Sequence, residues 1–308
     1  MKGNKMNHTD PEIIIIGAAI LDVLVRPADP DVFRTGSSPA EQIRMSVGAD
    51  ALNEATVLAK MGKAVRLETV IGSDKAGKYI EDHCRELGIE LPKDCTRDDI
   101  PTGINVVLIG RDGSRHFLTD PRSTLRKLTV KDIRMPFPER AGIVCFASIF
   151  VFPEIGPAEL EMIFRQAKEQ GKIVCADMTK RKKSETAADL SRALRYVDYL
   201  FPNDEEAMLL TGKDTVEEAA EALRDSGAGT VVVKGGARGC YLLEQEKDGV
   251  WIPAEKGAVC VDTTGAGDSF AAGFLFALSE GKSAEECAKY GNHCGARAVS
   301  AVGAAEWL

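Results

Sequence analysis

The residues best placed to do chemistry lie near the C-terminus, in VDTTGAGDSFAAGF, residues 261–274. A polar, glycine-rich turn runs there into an apolar segment that reads as a helix. Gly265 and Gly267 carry no side chain, so the backbone can turn tightly and approach a ligand closely. The amides of Gly265, Ala266, Gly267 and Asp268 then converge at a helix N-terminus, where free N–H groups and the helix dipole favour a phosphate or a developing oxyanion. Asp268 stands where a carboxylate can accept a proton from an attacking hydroxyl. Taken alone, G-x-G-D reads first as a glycine turn with Asp as an N-cap.

Such residues need a scaffold. Short apolar runs alternate with helix-period segments, which predicts an α/β fold: a doubly wound, mostly parallel sheet with helices on both faces. The strand-like runs are EIIIIG (12–17), RLETVIG (66–72), GIVCFASI (142–149), KIVCADM (172–178), YLF (199–201) and TVVVKG (230–235). β-Branched residues dominate them with little polar alternation, as strands buried on both faces require. Leu160, Ile163, Phe164 and Ala167 form a helical stripe between Pro157 and Gly171. Thr215 with Glu218, and Ser283 with Glu286, read as capping boxes. Two regions break the rhythm. Residues 23–46 are rich in Pro, Asp and Ser, and within 101–120 the run GINVVLIGRDGSRHFLTD reads as a β-hairpin about an Asp-Gly turn. Both are expected to form a small β-sheet lid inserted in a single domain spanning 1–308.

The chain has 308 residues, 44% of them hydrophobic, enough to bury a sizeable core. A net charge of −8 argues against nucleic acid or an anionic membrane as the partner. The opening MKGNKMNHTDPE lacks the apolar stretch of a secretory leader, and the IIII run is too short to span a bilayer. Eight cysteines include no C-x-x-C pair, and several sit in apolar runs. Reduced, buried thiols and a cytoplasmic protein are expected. The four histidines show no metal-ligand spacing, and His293 reads as a packed residue.

Segment 261–274 strongly resembles the C-terminal signature of the ribokinase-like (PfkB) carbohydrate kinase family. The resemblance implies a ribokinase-like fold, ATP and Mg2+ as cofactors, and transfer of the γ-phosphoryl group of ATP to a hydroxyl of a sugar or sugar-like small molecule. It implies that Gly265, Ala266 and Gly267 form an anion hole and that Asp268 is the general base. Other segments match the family in order. GAAILD (17–22) resembles the end of its first strand and puts Asp22 at substrate hydroxyls. GADALNEA (48–55) resembles G-G-x-x-x-N and makes Gly48 and Asn53 substrate contacts. IGSDKAG (71–77) matches G-x-D-x-x-G, and FPNDEEA (201–207) matches N-x-x-E, which places Asn203 and Glu206 near the phosphates and a hydrated Mg2+. VVKGGARG (232–239) implies nucleotide contacts at Lys234, Gly236 and Gly239, and Asn292 fits a residue near adenine. By the same resemblance Asp262 and Thr264, with backbone carbonyls of 298–303, hold an activating K+, and lids pair two copies into a homodimer. The residues themselves leave plainer readings open. Asn203 is also a good N-cap before an acidic first turn, GGARG a hairpin turn, and Asp262 a brace for the loop.

Three departures bear on the acceptor. Ile20 stands where ribokinases usually carry Asn, Ala49 replaces the second glycine of G-G-x-x-x-N, and Asp50 follows where ribokinases place Lys. DMTKR (177–181) resembles the D-x-N-x-R segment of sugar-acid and fructose kinases at Asp177 and Arg181 but not at Thr179. Asp22 and Asp50 suit a neutral polyol, because carboxylates accept hydrogen bonds from hydroxyls and repel anions. Against that stand Arg111, Arg115 and the basic run 180–183, and Asp50 is equally a solvent-facing helix cap. The alternative within the family is a nucleoside kinase, with Phe33, Phe117, Phe150 or Phe152 as a shelf for the base. A non-catalytic sugar sensor on the same fold would have lost the base or the glycines.

Overall fold

The computed structural model describes residues 12–111, 114–301 and 303–308. In chain order the strands are β1 (Ile13–Ile16), β2 (Ile20–Arg26), β3 (Gln42–Gly48), β4 (Val65–Glu68), β5 (Ile71–Gly72), β6 (Thr96–Arg97) and β7 (Gly103–Ile109). They continue with β8 (Arg115–Thr119), β9 (Ile143–Ile149), β10 (Ile173–Met178), β11 (Tyr199–Phe201), β12 (Thr230–Lys234), β13 (Cys240–Leu243) and β14 (Val250–Ile252). The helices are α1 (Val32–Thr35), α2 (Asp50–Lys60), α3 (Lys75–Leu87), α4 (Pro157–Glu169), α5 (Ala187–Leu194), α6 (Asp204–Thr211), α7 (Val216–Asp225), α8 (Ala266–Ser279) and α9 (Ala284–Val299).

The four isoleucines of β1 show why the main sheet is a central layer. All are fully buried, but Ile14 and Ile16 face one hydrophobic cluster while Ile13 and Ile15 face another. A strand alternates its side chains, so both faces must be covered. Helices α4 to α7 cover the first face; α2, α3, α8 and α9 cover the second. The sheet runs β14-β13-β12-β11-β10-β9-β1-β4, parallel from β4 to β12. The last two strands are antiparallel: β12 and β13 form a hairpin about GGARG, the plainer reading of that segment, and β14 pairs at the edge. The expected doubly wound, mostly parallel sheet is present.

The expected lid is a second sheet of order β3-β2-β7-β8. It starts earlier than residue 23. The chain leaves the main sheet after Ile16, and β2 pairs along its length with β3, so Asp22 is a lid-strand residue and not the end of the first strand. The Asp-Gly turn of the predicted hairpin lies outside the described residues. RLETVIG also divides: Val65–Glu68 stays in the main sheet, while Ile71 and Gly72 pair with Thr96 and Arg97. The Thr102 hydroxyl accepts the Gly72 N–H at 2.9 Å and Asp74 caps α3 by accepting from Gly77, which together draw the chain off the sheet edge. Of the cysteines only Cys260 is exposed. Among the described residues no helix is long and apolar enough to cross a membrane.

Candidate active site

Helices α2 and α8 begin beside one another, and their first turns make the floor of the site. Gly265 caps α8 in a left-handed conformation (φ +69°), where a Cβ would also stand 2.3 Å from that of Ala304. Glycine is the residue that meets both conditions. The amides of Gly267 and Asp268 have no hydrogen-bond acceptor among the described residues, as at any helix start, whereas that of Ala266 makes a long bond to the Thr263 carbonyl (3.3 Å). Asp268 projects from the same turn. Its Oδ2 accepts the side-chain amide of Asn53 at 2.7 Å, from the first turn of α2. Burial pushes the Asp268 carboxyl well above the usual range and the Asp50 charge adds to this, while the Asn53 amide and Lys234 oppose it.

A cavity of about 330 Å³ opens above that floor, between the main sheet and the lid. Asp22, Asp50, Asn53, Asn105, Ser148 and Asp268 supply its polar wall, and Ile20, Ala49, Phe117, Leu125 and Val151 its apolar wall. Asp22 faces Asn105 across the parallel β2–β7 register. Burial raises its pKa to about 6, the Asn105 hydrogen bond works against this, and the Asp50 charge adds to it. Gly48 is not a lining residue; a Cβ there would meet Asp22 Oδ2 at 2.1 Å, so its function is to make room for that carboxylate. Asp50 is no solvent-facing cap, because its carboxylate is bonded by the Ser148 hydroxyl inside the cavity. Asp22 Oδ1 and Asn53 Oδ1 are buried acceptors without a partner among the described residues. Ala49 enters α2 at φ +75°, ψ +149°, a conformation essentially reserved for glycine, so the residue that departs from the family pattern carries backbone strain.

Behind the α8 turn lies a buried charge cluster. Lys234, at the end of β12, pairs with Asp177 of β10 at 2.5 Å. Its Nζ also stands 3.5 Å from where a Cβ on Gly267 would be, which puts the ammonium beside the free amides. Burial works against the Lys234 charge, but Asp177 and Glu206 outweigh it and hold its pKa above the ordinary lysine value. Asp177 is pushed up to about 7 by burial, against the pull of Lys234. Glu54 of α2 is fully buried next to this cluster and its pKa is raised, first by burial and then by the Asp177 and Asp268 charges.

The other expected nucleotide residues divide. Asn203 and Glu206 form a reciprocal capping box at 2.8 Å in both directions, so the plain reading of Asn203 holds in full. Glu206 still faces the cluster: burial raises its pKa and Lys234 lowers it. Gly236 sits in the turn after β12, and Gly239 passes so close to β14 that a Cβ would lie 2.0 Å from the Ile252 carbonyl. Asn292 donates its amide to the carbonyls of Ile252 and Pro253, which fastens α9 to the loop after β14. Both of its N–H groups are thereby committed to the backbone.

The expectation that Asp262 and Thr264 hold a K+ meets a carboxylate already in use. Oδ1 accepts the Thr264 amide and hydroxyl (2.8 and 2.7 Å) and pairs with Arg115 of the lid, while Oδ2 accepts the Gly303 amide at 3.0 Å. Residue 302, part of the carbonyl run assigned to that ion, lies outside the described residues.

Sequence reasoning missed Asn105, Ser148 and Arg126 as site residues, and named Arg115 and the run that holds Lys182 only as charges bearing on the acceptor. Two had a signal: Asn105 interrupts an apolar strand, and Ser148 stands at the carboxyl end of a parallel strand, where open α/β sheets place ligands.

A family model described as "pfkB family carbohydrate kinase" matches residues 10–308. A ribokinase of Haemophilus influenzae is 26% identical over 276 residues, covering 86% of this chain and 84% of its own. A cytidine kinase of Thermococcus kodakarensis is 28% identical over 288 residues, covering 91% and 93%. The solved structure of Arabidopsis thaliana ribokinase complexed with ribose and ATP superposes with a TM-score of 0.78 at 26% identity, over 97% of this chain and 96% of that one.

Proposed function

The chain belongs to the pfkB family of carbohydrate kinases, and we propose that it transfers the γ-phosphoryl group of ATP to a hydroxyl of a neutral sugar held in the cavity above Asp268. One observation carries this reading. Two unpaired acceptors, Asp22 Oδ1 and Asn53 Oδ1, share the cavity with a carboxylate of raised proton affinity. A hydroxyl donates to each without leaving a buried polar atom unmatched.

Asp22 and Asn53 orient the acceptor. Asp268 takes the proton of the attacking hydroxyl, and its raised pKa suits it to do so. The Gly267 and Asp268 amides, with Lys234 beside them, stabilise negative charge on the transferring group. When bound, ATP would supply the phosphoryl group and Mg2+ would offset the charge of its phosphates. Glu206 would hold a hydrated Mg2+, a reading supported by its second oxygen, which the Asn203 amide leaves uncommitted. Asn203 acts here through Glu206, Gly236 and Gly239 shape the nucleotide-side turn, and Asn292 braces it.

The basic residues that would reverse the sign of the cavity are mostly spent elsewhere. Arg111 pairs with Glu41, Arg115 with Asp262, Lys180 with Glu205, and Arg181 donates to the Glu185 carbonyl. Lys182 and Arg126 remain in the lining, against Asp22, Asp50 and Asp268. A nucleoside is the second reading, favoured by Phe117. Of the four candidate phenylalanines it alone is in the lining, while Phe150 and Phe152 pack into the core and Phe33 is exposed on α1.

The deciding experiment is ADP release with a panel of neutral sugars, sugar phosphates, sugar acids and nucleosides. Preference for a neutral sugar supports the proposal, preference for a nucleoside selects the second reading, and preference for a sugar phosphate or acid overturns the neutral acceptor. The whole chain is then one catalytic unit with its lid inserted, working in the cytoplasm, as its buried free thiols suggest. Ile43, Met45 and Leu118 leave an exposed apolar patch on the lid sheet, which suits pairing of two copies; light scattering on a Met45→Lys variant checks this.

A further inference from the structure

We propose that Arg115 is a built-in cation that takes the place of a monovalent metal ion behind the anion-hole loop and makes the protein indifferent to K+. Arg115 opens lid strand β8, and its guanidinium reaches across to the Asp262 carboxylate, three residues before Gly265. Both ends of this pair are sheltered, with 18% of the Arg115 side chain and 5% of the Asp262 side chain exposed. The carboxylate is left with no free oxygen. Oδ1 takes the Thr264 amide and hydroxyl as well as Arg115, and Oδ2 takes the Gly303 amide. Each carboxylate oxygen offers about two acceptor positions, so Oδ1 is fully taken and Oδ2 keeps one.

Two further groups lie beside the pair. A second guanidinium, that of Arg44 on lid strand β3, has Nη2 2.5 Å from where a Cβ on Gly303 would be. The Val299 carbonyl accepts the amides of Val261 and Asp262, which ties the start of the loop to the end of α9. A metal ion would therefore have to displace a tethered charge that arrives with the lid.

The arrangement has a consequence for the reaction proposed above, on which its turnover aspect rests. An ion from solution fixes the 262–265 loop whatever the lid does. Arg115 fixes it only while β8 is in place, so closing the lid and organising the anion hole become one event. The structural part of the inference, that the guanidinium holds the loop, does not depend on what the protein phosphorylates.

Melting temperature and calorimetric ATP affinity with Mg2+ are compared in KCl and in choline chloride at equal ionic strength. Wild-type protein is expected to give the same values in both salts. Arg115→Met in choline is expected to melt lower and bind ATP about fivefold or more weakly, the low end of ordinary coupling between sites, and K+ is expected to restore most of both losses. A K+-specific rise in the wild-type melting temperature or affinity would overturn the proposal. So would an Arg115→Met variant that matches wild type in choline, or whose losses K+ does not mend. If Arg115→Met fails to fold in choline, refolding in KCl is the same test: recovery supports the proposal and no recovery overturns it. Protein that binds no ATP in any salt would sink the kinase reading, and the melting comparison would still decide the role of Arg115.

Discussion

Asn53 donates its side-chain amide to Asp268 Oδ2 at 2.7 Å, across 215 positions of sequence, and so joins the first turns of two helices at one carboxylate. The amide favours the ionised form of Asp268, which burial and the Asp50 charge oppose. Asn53→Ala should therefore raise the Asp268 pKa further. Less of the base is then ionised at any given pH, so turnover should fall most in acid and recover as pH rises. The check is the kcat–pH profile, whose acid limb moves to higher pH; an unmoved limb with weaker acceptor binding would make Asn53 a substrate contact only.

Asp268→Asn keeps the shape of the side chain and removes its basicity. The fold and ATP affinity should survive, while kcat falls by ~10²–10⁴, the usual worth of a positioned base. Near wild-type turnover on the preferred acceptor would reject Asp268 as the base.

The two glycines of the turn should fail in different ways. A Cβ on Gly267 meets nothing nearer than Lys234 Nζ at 3.5 Å, so Gly267→Val should fold and lose about 3 kcal/mol of barrier stabilisation by crowding the amides. On Gly265 the new Cβ collides with Ala304 and the backbone is left-handed, so Gly265→Val should lower the melting temperature sharply. Measuring both variants for stability and kcat separates the two effects.

Ala49 holds φ +75° at the entrance to α2, in the wall of the cavity. Ala49→Gly should relieve this strain and stabilise the protein by about 1 kcal/mol after the larger entropy of a glycine in the unfolded chain is subtracted. Urea denaturation gives the number. A loss of stability would mean that the Ala49 methyl group contributes more by packing than its backbone costs.

Asp22 binds its proton more tightly in the folded protein, with a pKa of about 6, than in the unfolded chain, where an aspartate titrates near 3.8. Between these values the folded form is protonated and the unfolded form is not, so the Asp22 contribution to stability falls as pH rises from about 4 to about 6 and stays low above. Asp22→Asn should remove this slope and add on the order of 2 kcal/mol at neutral pH, since one pKa unit corresponds to ~1.4 kcal/mol. It should also weaken acceptor binding at pH 7 by removing a charged hydrogen-bond acceptor. Stability curves at pH 4 and 7 and the KM of the preferred acceptor test both parts.

The layer architecture and the candidate catalytic turn are both legible in the residue order alone. Both are local: β1 reads as a strand buried on two faces because apolar residues run through it, and GAGD reads as an amide cradle because its glycines and the apolar helix behind them are adjacent in the chain. The tertiary structure alone decided which charges meet. Nothing within ten residues of Arg115 says that it will pair with Asp262, and nothing near Asp50 says that it faces Ser148 and not solvent. The same holds for Asp22, which the sequence put at the end of a core strand and the lid register put opposite Asn105. Secondary structure follows from short-range pattern, whereas the sign and occupancy of a site depend on side chains far apart in sequence, whose energies depend steeply on distance and burial.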